Sequence, residues 1–299
     1  MKLPFRHDAL VYDSDHELVE HVVPHLDGAI REGIPAVAVL NRRKWGIVRE
    51  ALGPDAELVS HTDQDDFYVN PVIAVAGYDA KLRGYAAAGA PVVRVVGEVP
   101  FGPTEREWDS WAGYESILNR ALSHHPVSIL CTYDSRVLPD RLVEVAYRTH
   151  PHVLAGGDDH PHFEDPAEFV AAHAPTPVDM PELPGLGPCE NLEAFRERLA
   201  AALSRAGVPE GRALDMILAA GEVFENASRH GGGPTSLRAG TVDGWFVCEV
   251  SDDGPGLEDP FAGYLPPTQD RPQNGLWVAR RLVRRLELFG PGLTARLWL

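Results

Sequence analysis

Short, almost uninterrupted apolar runs alternate with amphipathic stretches through the first half of the chain. Ala9–Tyr12, Pro35–Leu40, Glu57–Ser60, Pro91–Val96 and Val127–Cys131 predict buried strands. Helical periodicity covers residues 16–32, 42–51, 70–88 and 104–123 between them, and a further helix is predicted at 139–149. This alternation predicts an α/β domain with a parallel sheet covered on both faces. Ligands of such sheets bind at the carboxyl ends of the strands, which here carry Asp13, Asn41, His61, Glu98 and the pair Tyr133–Asp134.

The second half has a different pattern. Glu193–Gly207 and Pro209–Arg229 predict two helices, and Ser236–Val242 and Trp245–Ser251 alternate as strands joined at Asp243–Gly244, a two-residue hairpin signal. A helix is expected over Gly275–Arg285 and a final strand over Leu293–Leu299, giving helices on one face of a mostly antiparallel sheet. Between the halves, prolines 175, 177, 181, 184 and 188 with Gly185 and Gly187 can build neither helix nor central strand. The expected layout is therefore a first domain at 1–173, a proline-rich linker at 174–188 and a second domain at 189–299.

Composition narrows the class. The 299 residues carry 27 basic and 44 acidic side chains, a net charge of −17 that disfavours direct contact with nucleic acid or an anionic membrane. Residues 1–180 hold 15 basic and 28 acidic residues, against 12 and 16 in residues 181–299. No apolar run is long enough to span a bilayer, and the N-terminus lacks the apolar core of a secretion signal. Cys131, Cys189 and Cys248 are widely spaced and form no metal-ligand pattern, so a reducing cytoplasm is the expected location.

The candidate chemistry lies in the second half. On the second predicted helix, Glu222 and Asn226 stand four residues apart, about 40° around the axis, beside an apolar stripe of Leu214, Ile217, Gly221 and Phe224. An Asn amide oxygen can hold a hard cation such as Mg2+, and a carboxylate one turn away can take a proton from a nucleophile. The hairpin then ends in Ser251-Asp252-Asp253-Gly254-Pro255-Gly256. Such a turn gives a carboxylate acceptor for an exocyclic amine and glycines that admit a flat base. Residues 257–274 form a Pro/Gly-rich connection of lid length, ending at Asn274-Gly275-Leu276, where a helix begins and offers free N–H groups to phosphate.

E-x-x-x-N-A-x-x-H-G, then D-x-G-x-G, then N-G-L before a helix, resembles the GHKL ATP-binding domain shared by gyrase, MutL and histidine kinases, and most of all the anti-sigma regulatory kinases. The resemblance implies a Bergerat-type α/β sandwich over residues 189–299 that binds ATP and Mg2+. It makes Glu222 the catalytic base, Asn226 the Mg2+ ligand, Asp252 the adenine acceptor, Gly254 and Gly256 the base-pocket glycines, and Gly275 with Leu276 the start of the phosphate-facing helix. Gln273 stands where the family usually has a glycine, which bears on closure of the lid.

His7–Tyr12, Arg94–Glu98, Tyr114–Asn119, Cys131–Asp134 and His150–Pro151 resemble, in order, the MEDS sensory domain, a RecA-like or KaiC-like module. The turn after the first strand, Tyr12-Asp13-Ser14-Asp15-His16, is acidic and lacks the Gly-rich loop and Lys of a RecA-like ATPase, so no ATPase is expected there. Glu98, Glu115, Tyr133, Asp134 and His150 are the candidate pocket for an unknown small-molecule signal. His150, His152, His160 and His162 with Asp158 and Asp159 offer imidazole and carboxylate, but their setting before the prolines does not predict an ordered metal site. A MEDS domain joined to this ATP-binding domain is similar to the RsbA-type anti-sigma regulatory proteins. That implies a sensor-controlled protein that sequesters a sigma factor, phosphorylates Ser or Thr of a STAS-type anti-sigma antagonist, or does both, with a homodimer possible. The alternatives are a non-catalytic ATP-dependent binding module and a histidine kinase, the latter lacking a helical phosphoacceptor hairpin before the ATP domain. Arg280, Arg281, Arg284 and Arg285, placed on the last helix, are a candidate patch for an acidic partner, including the first domain.

Overall fold

Six parallel strands form the sheet of the first unit: β1 (Arg6–Tyr12), β2 (Ala36–Val39), β3 (Val59–Thr62), β4 (Val93–Gly97), β5 (Val127–Asp134) and β6 (His152–Val153), in the order β3-β2-β4-β5-β1-β6. The computed structural model describes residues 5–154, 162–174, 177–265, 275–290 and 292–299. The helices of this unit are α1 (Asp15–Glu32), α2 (Arg42–Leu52), α3 (Gln64–Phe67), α4 (Pro71–Ala87), α5 (Glu105–Ala121), α6 (Asp140–Thr149) and α7 (Pro166–Ala172). Their starts follow from capping chemistry: the side chains of Ser14, Asn41, Asn70 and Thr104 each accept the backbone N–H three residues on. Ser14 and Asn41 directly follow β1 and β2, so the strands' carboxyl ends and the helix N-termini share one edge of the sheet. Against one face, Leu18, Val22 and Leu26 of α1 pack on Leu10, Ala38 and Val96.

The short elements were not anticipated. The two-residue β6 is parallel to β1 through Asp8 and Ala9, and α3, α7 and the 3-10 turn Gly53–Leu58 are each too short to give a period.

The second unit, which clusters from Pro175 to Leu299, comprises α8 (Leu192–Arg205), α9 (Glu210–His230), β7 (Pro234–Val242), β8 (Trp245–Asp252), α10 (Gly275–Leu282), β9 (Arg285–Phe289) and β10 (Leu293–Trp298). Its antiparallel sheet runs β7-β8-β10-β9. Alternation in β8 sorts its side chains: Phe246, Cys248 and Val250 join the helices' core, with Phe195, Leu199 and Phe224, whereas Val247 faces the other side. That other side is covered by the chain's own proline-rich segment, in which Val178, Met180 and Leu183 pack on Val247 and Trp298. The segment is hydrogen-bonded to β7 through Leu186 N to Leu237 O and Ala239 N to Pro184 O. Among the described residues no helix is long and apolar enough to cross a membrane.

Two expectations need correction. The helix expected to Arg285 ends at Leu282, and Arg285 opens strand β9. The four arginines therefore share no helix face, and each is engaged at home: Arg280 lies over Tyr264 and donates to Ala262 O and Leu286 O, while Arg281, Arg284 and Arg285 lie over Trp277, Trp245 and Trp298. Leu214, read as part of the apolar stripe of α9, is 56% exposed; the face that packs inward carries Met216, Ala220, Val223 and Phe224.

Candidate functional site

In the second unit, the amphipathic period of α9 turns Val223 and Ala227 to the core and leaves Glu222 and Asn226 half-buried at its margin. Strand β8 ends in Asp252, 9% exposed, and its carboxylate Oδ1 accepts the backbone N–H of Gly254 at 2.9 Å. A cavity of about 850 Å3 opens between these elements and α10, with Asn226, His230, Asp252, Gly256, Gly275 and Leu276 in its wall. Such a volume suits a nucleotide-sized ligand.

Glycines set the closeness of the walls. A methyl group at Gly275 would lie 2.9 Å from Glu222 Oε2 and 3.4 Å from Asn226 Oδ1 and Nδ2, so the first turn of α10 rests directly on the two polar side chains of α9. A methyl group at Gly231 would lie 2.2 Å from Asp252 Cγ, and Gly254 abuts Gly231 Cα in the same way. Gly256 turns the chain with φ +79. The structure thus brings Asn226, Asp252, Gly256, Gly275 and Leu276 around one cavity, with Glu222 against Gly275 and Gly254 behind Asp252. Gln273 lies outside the described residues. Sequence reasoning missed Gly231 and His230 as wall residues, although both stand in the same motif as Asn226, and missed Trp277 of α10 as well as Phe261 and Leu265, whose cue was only the apolar content of the long connection.

The arrangement fits ATP. A carboxylate acceptor at one wall, a glycine-lined slot beside it and a helix opening at a glycine suit an amino-purine and its phosphates. Asn226 has the amide oxygen to hold Mg2+ near those phosphates.

In the first unit, the five candidate pocket residues fall into two buried groups. Glu98 and Asp134 share the buried ammonium of Lys44, 3.4 Å from Asp134 Oδ2 and paired with Glu98. Glu98 Oε2 also accepts Tyr12 Oη–H at 3.0 Å and Thr132 Oγ1–H at 2.9 Å. Lys44, in the first turn of α2, was not singled out from the sequence. Glu115 and His150 belong to a second group, with the Tyr133 ring against His150 at 5.7 Å between centroids. All five are under 9% exposed. The turn after β1 is occupied by its own chain: Asp13 N–H donates to Glu17, and Asp15 pairs with Arg43 and Arg136.

Burial works against the Asp134 carboxylate, but the two-pronged Arg136 guanidinium and the Lys44 ammonium outweigh it and hold its pKa at about 2. Its unfolded value is 3.8, so the stability it contributes is complete above about pH 4 and is lost as pH falls toward 2. Arg136→Gln should move the acid unfolding of the first unit upward by roughly one pH unit. Hydrogen exchange of peptides from residues 6–151 across pH 2–5 reads this, and an unshifted transition would show that Arg136 does not support Asp134.

The site defines the second unit as a nucleotide-binding domain of the helix-pair-on-antiparallel-sheet class. In agreement, residues 188–297 match the family of the histidine kinase-like ATPase domain. Residues 6–151 match MEDS, the methanogen/methylotroph DcmR sensory domain. No curated protein matches the chain. The matches describe a sensory domain joined to an ATPase-type domain, the composition of a sensor-regulated ATP-binding regulatory protein.

Proposed function

We propose that the chain is a cytoplasmic anti-sigma regulator: its second unit binds Mg-ATP and sequesters a sigma factor, transfers phosphate to Ser or Thr of a STAS-type anti-sigma antagonist, or does both, while the first unit responds to a small-molecule signal. The observation that carries this is the convergence of Glu222 and Asn226 on Gly275, across the cavity wall that also holds Asp252. Phosphoryl transfer needs positioning, a cation and a group to orient the attacking hydroxyl rather than covalent machinery. Asn226 would supply an amide oxygen for Mg2+, and Glu222 would take the proton of the Ser or Thr hydroxyl as the hydroxyl oxygen displaces ADP from the γ-phosphorus. The N–H groups at the start of α10 would be available to the phosphates.

Glu222→Ala in the full chain should leave ATP affinity within about twofold and lower phosphate transfer to the captured antagonist by roughly 100-fold or more, since a general base acts in the transition state. Isothermal calorimetry and radiolabel transfer separate the two quantities. Equal loss of binding and transfer would remove Glu222 from the base role. Wild-type protein that binds ATP and a partner but transfers nothing would favour the non-catalytic binding module, and label on a histidine of the chain itself would favour a histidine kinase.

A further inference from the structure

In the interior of the first unit, four buried potential metal ligands from four separate segments converge. They are His7 of β1, Glu115 of α5, Cys131 of β5 and His150, which follows α6. His7 Nε2 lies 3.3 Å from Cys131 Sγ and 3.5 Å from Glu115 Oε2, and His150 Nε2 lies 3.5 Å from the same Glu115 oxygen. All four ligand atoms fall within 4.8 Å of one another.

The hydrogen bonds behind the imidazoles fix which nitrogen carries the proton. Asn119 Nδ2 donates to Thr149 O at 2.8 Å and to Ser116 O at 3.3 Å, so its Oδ1, 3.1 Å from His7 Nδ1, is an acceptor and His7 Nδ1–H donates to it. His150 Nδ1 faces Ala146 O at 3.0 Å and Thr149 Oγ1 at 3.0 Å, and that hydroxyl already donates to Val145 O. His150 Nδ1–H is therefore also the donor. In both neutral rings Nε2 then carries a lone pair, and both lone pairs converge on the Glu115 oxygen. Glu115 Oε2 and His150 Nε2 have no hydrogen-bond partner, although both are buried.

Lone pairs do not gather in a dry interior unless a cation lies between them. A proton is a poor candidate, because an imidazolium would close to about 2.7–2.9 Å from the carboxylate. Zinc bonds of about 2.0–2.1 Å to nitrogen and oxygen and about 2.3 Å to sulfur instead give tetrahedral edges of roughly 3.3–3.6 Å, which the three separations of 3.3, 3.5 and 3.5 Å match. We propose that His7, Glu115, Cys131 and His150 form a four-coordinate site for a divalent transition metal, Zn2+ in the first instance, positioned by Asn119 and Thr149.

Hydrogen bonds of the kind made by Asn119 and Ala146 O orient metal-bound imidazoles generally. Among the described residues, a second His-carboxylate group, Asp79, His124 and His125, differs: Asp79 is already satisfied by Arg83 and His125 at 2.8 Å, and His124 is exposed. With every ligand buried, the ion enters as the unit folds, and it ties β1, β5, α5 and the end of α6 together.

The test is to produce the full chain in cobalt-supplemented, zinc-depleted medium. The purified protein should hold stoichiometric Co2+, show the intense visible bands of tetrahedral cobalt and a thiolate charge-transfer band, and resist stripping by chelator while folded. Cys131→Ser should lose the charge-transfer band, His150→Gln should lower cobalt content more than tenfold, Asn119→Ala should weaken retention by roughly 10–100-fold, and His124→Gln should change nothing. X-ray absorption of the wild-type chain needs no variant and should count one sulfur among the ligands. Folded wild-type protein without stoichiometric Co2+ or Zn2+, a shell lacking sulfur, or an unchanged spectrum in folded Cys131→Ser would overturn the site.

Discussion

Lys44→Met should destabilise the first unit by about 3–5 kcal/mol, because it removes the cation paired with buried Glu98 and leaves Arg136 as the partner of Asp134. Glu98 and Asp134 are 8% and 3% exposed, and Lys44 itself is 5% exposed, so water cannot replace the ammonium without opening the strand ends. The loss is a penalty for stranded charge rather than the value of the ion pair. It follows that adding Glu98→Gln to Lys44→Met should recover a large part of it, since Tyr12 and Thr132 can still donate to the amide oxygen. Urea unfolding of the full chain, resolved by hydrogen exchange in peptides of residues 6–151, measures both variants. A loss under about 1 kcal/mol for Lys44→Met, or no recovery in the double variant, would show that the group is hydrated and that Lys44 does not close it.

The same cluster shows where sequence reading stops. Central parallel strands are legible because both faces are buried and the apolar run is nearly continuous, so β2, β4 and β5 lie where the pattern places them. Strand β9 was hidden because Leu282, Val283 and Leu286 continue the helical spacing of Leu276 and Ala279. Pairing with β10, which sets Leu286 against Leu297 and Leu288 against Ala295, overrides that local preference. Glu222, Asn226, Asp252 and Gly275 were legible as a group because each sits at or near the end of an element, within a motif of fixed spacing. By contrast, the partners of Glu115 and Glu98 come from across the sheet: His7 and Cys131 are 124 positions apart, and Lys44 and Glu98 are 54 apart. Nothing local in the chain marks such pairs. The close approach of Gly231 to Asp252 is hidden for the same reason, since it depends on how α9 crosses the end of β8.

That approach makes Asp252 the position where a change of one atom type should tell most about the ligand. Asp252→Asn keeps the side chain's shape and its bond from Gly254 N–H, but its second terminal atom changes from acceptor to donor. The exocyclic amine of adenine then meets an NH2 group across a wall too tight, at Gly231, for the side chain to turn away. ATP affinity should fall by about 1.5–3 kcal/mol, roughly 10–150-fold in Kd, the range for losing a hydrogen bond to a charged group. The 6-oxo group of guanine, an acceptor, should suffer less or gain, so the ATP-over-GTP preference should shrink along with the affinity. Asp253→Asn, on the exposed neighbour, should change neither. Calorimetric titration of the full chain with both nucleotides reads affinity and preference together. Unchanged ATP binding in Asp252→Asn would remove this carboxylate from the base pocket. Equal losses for ATP and GTP would mean that it shapes the wall without touching the amine.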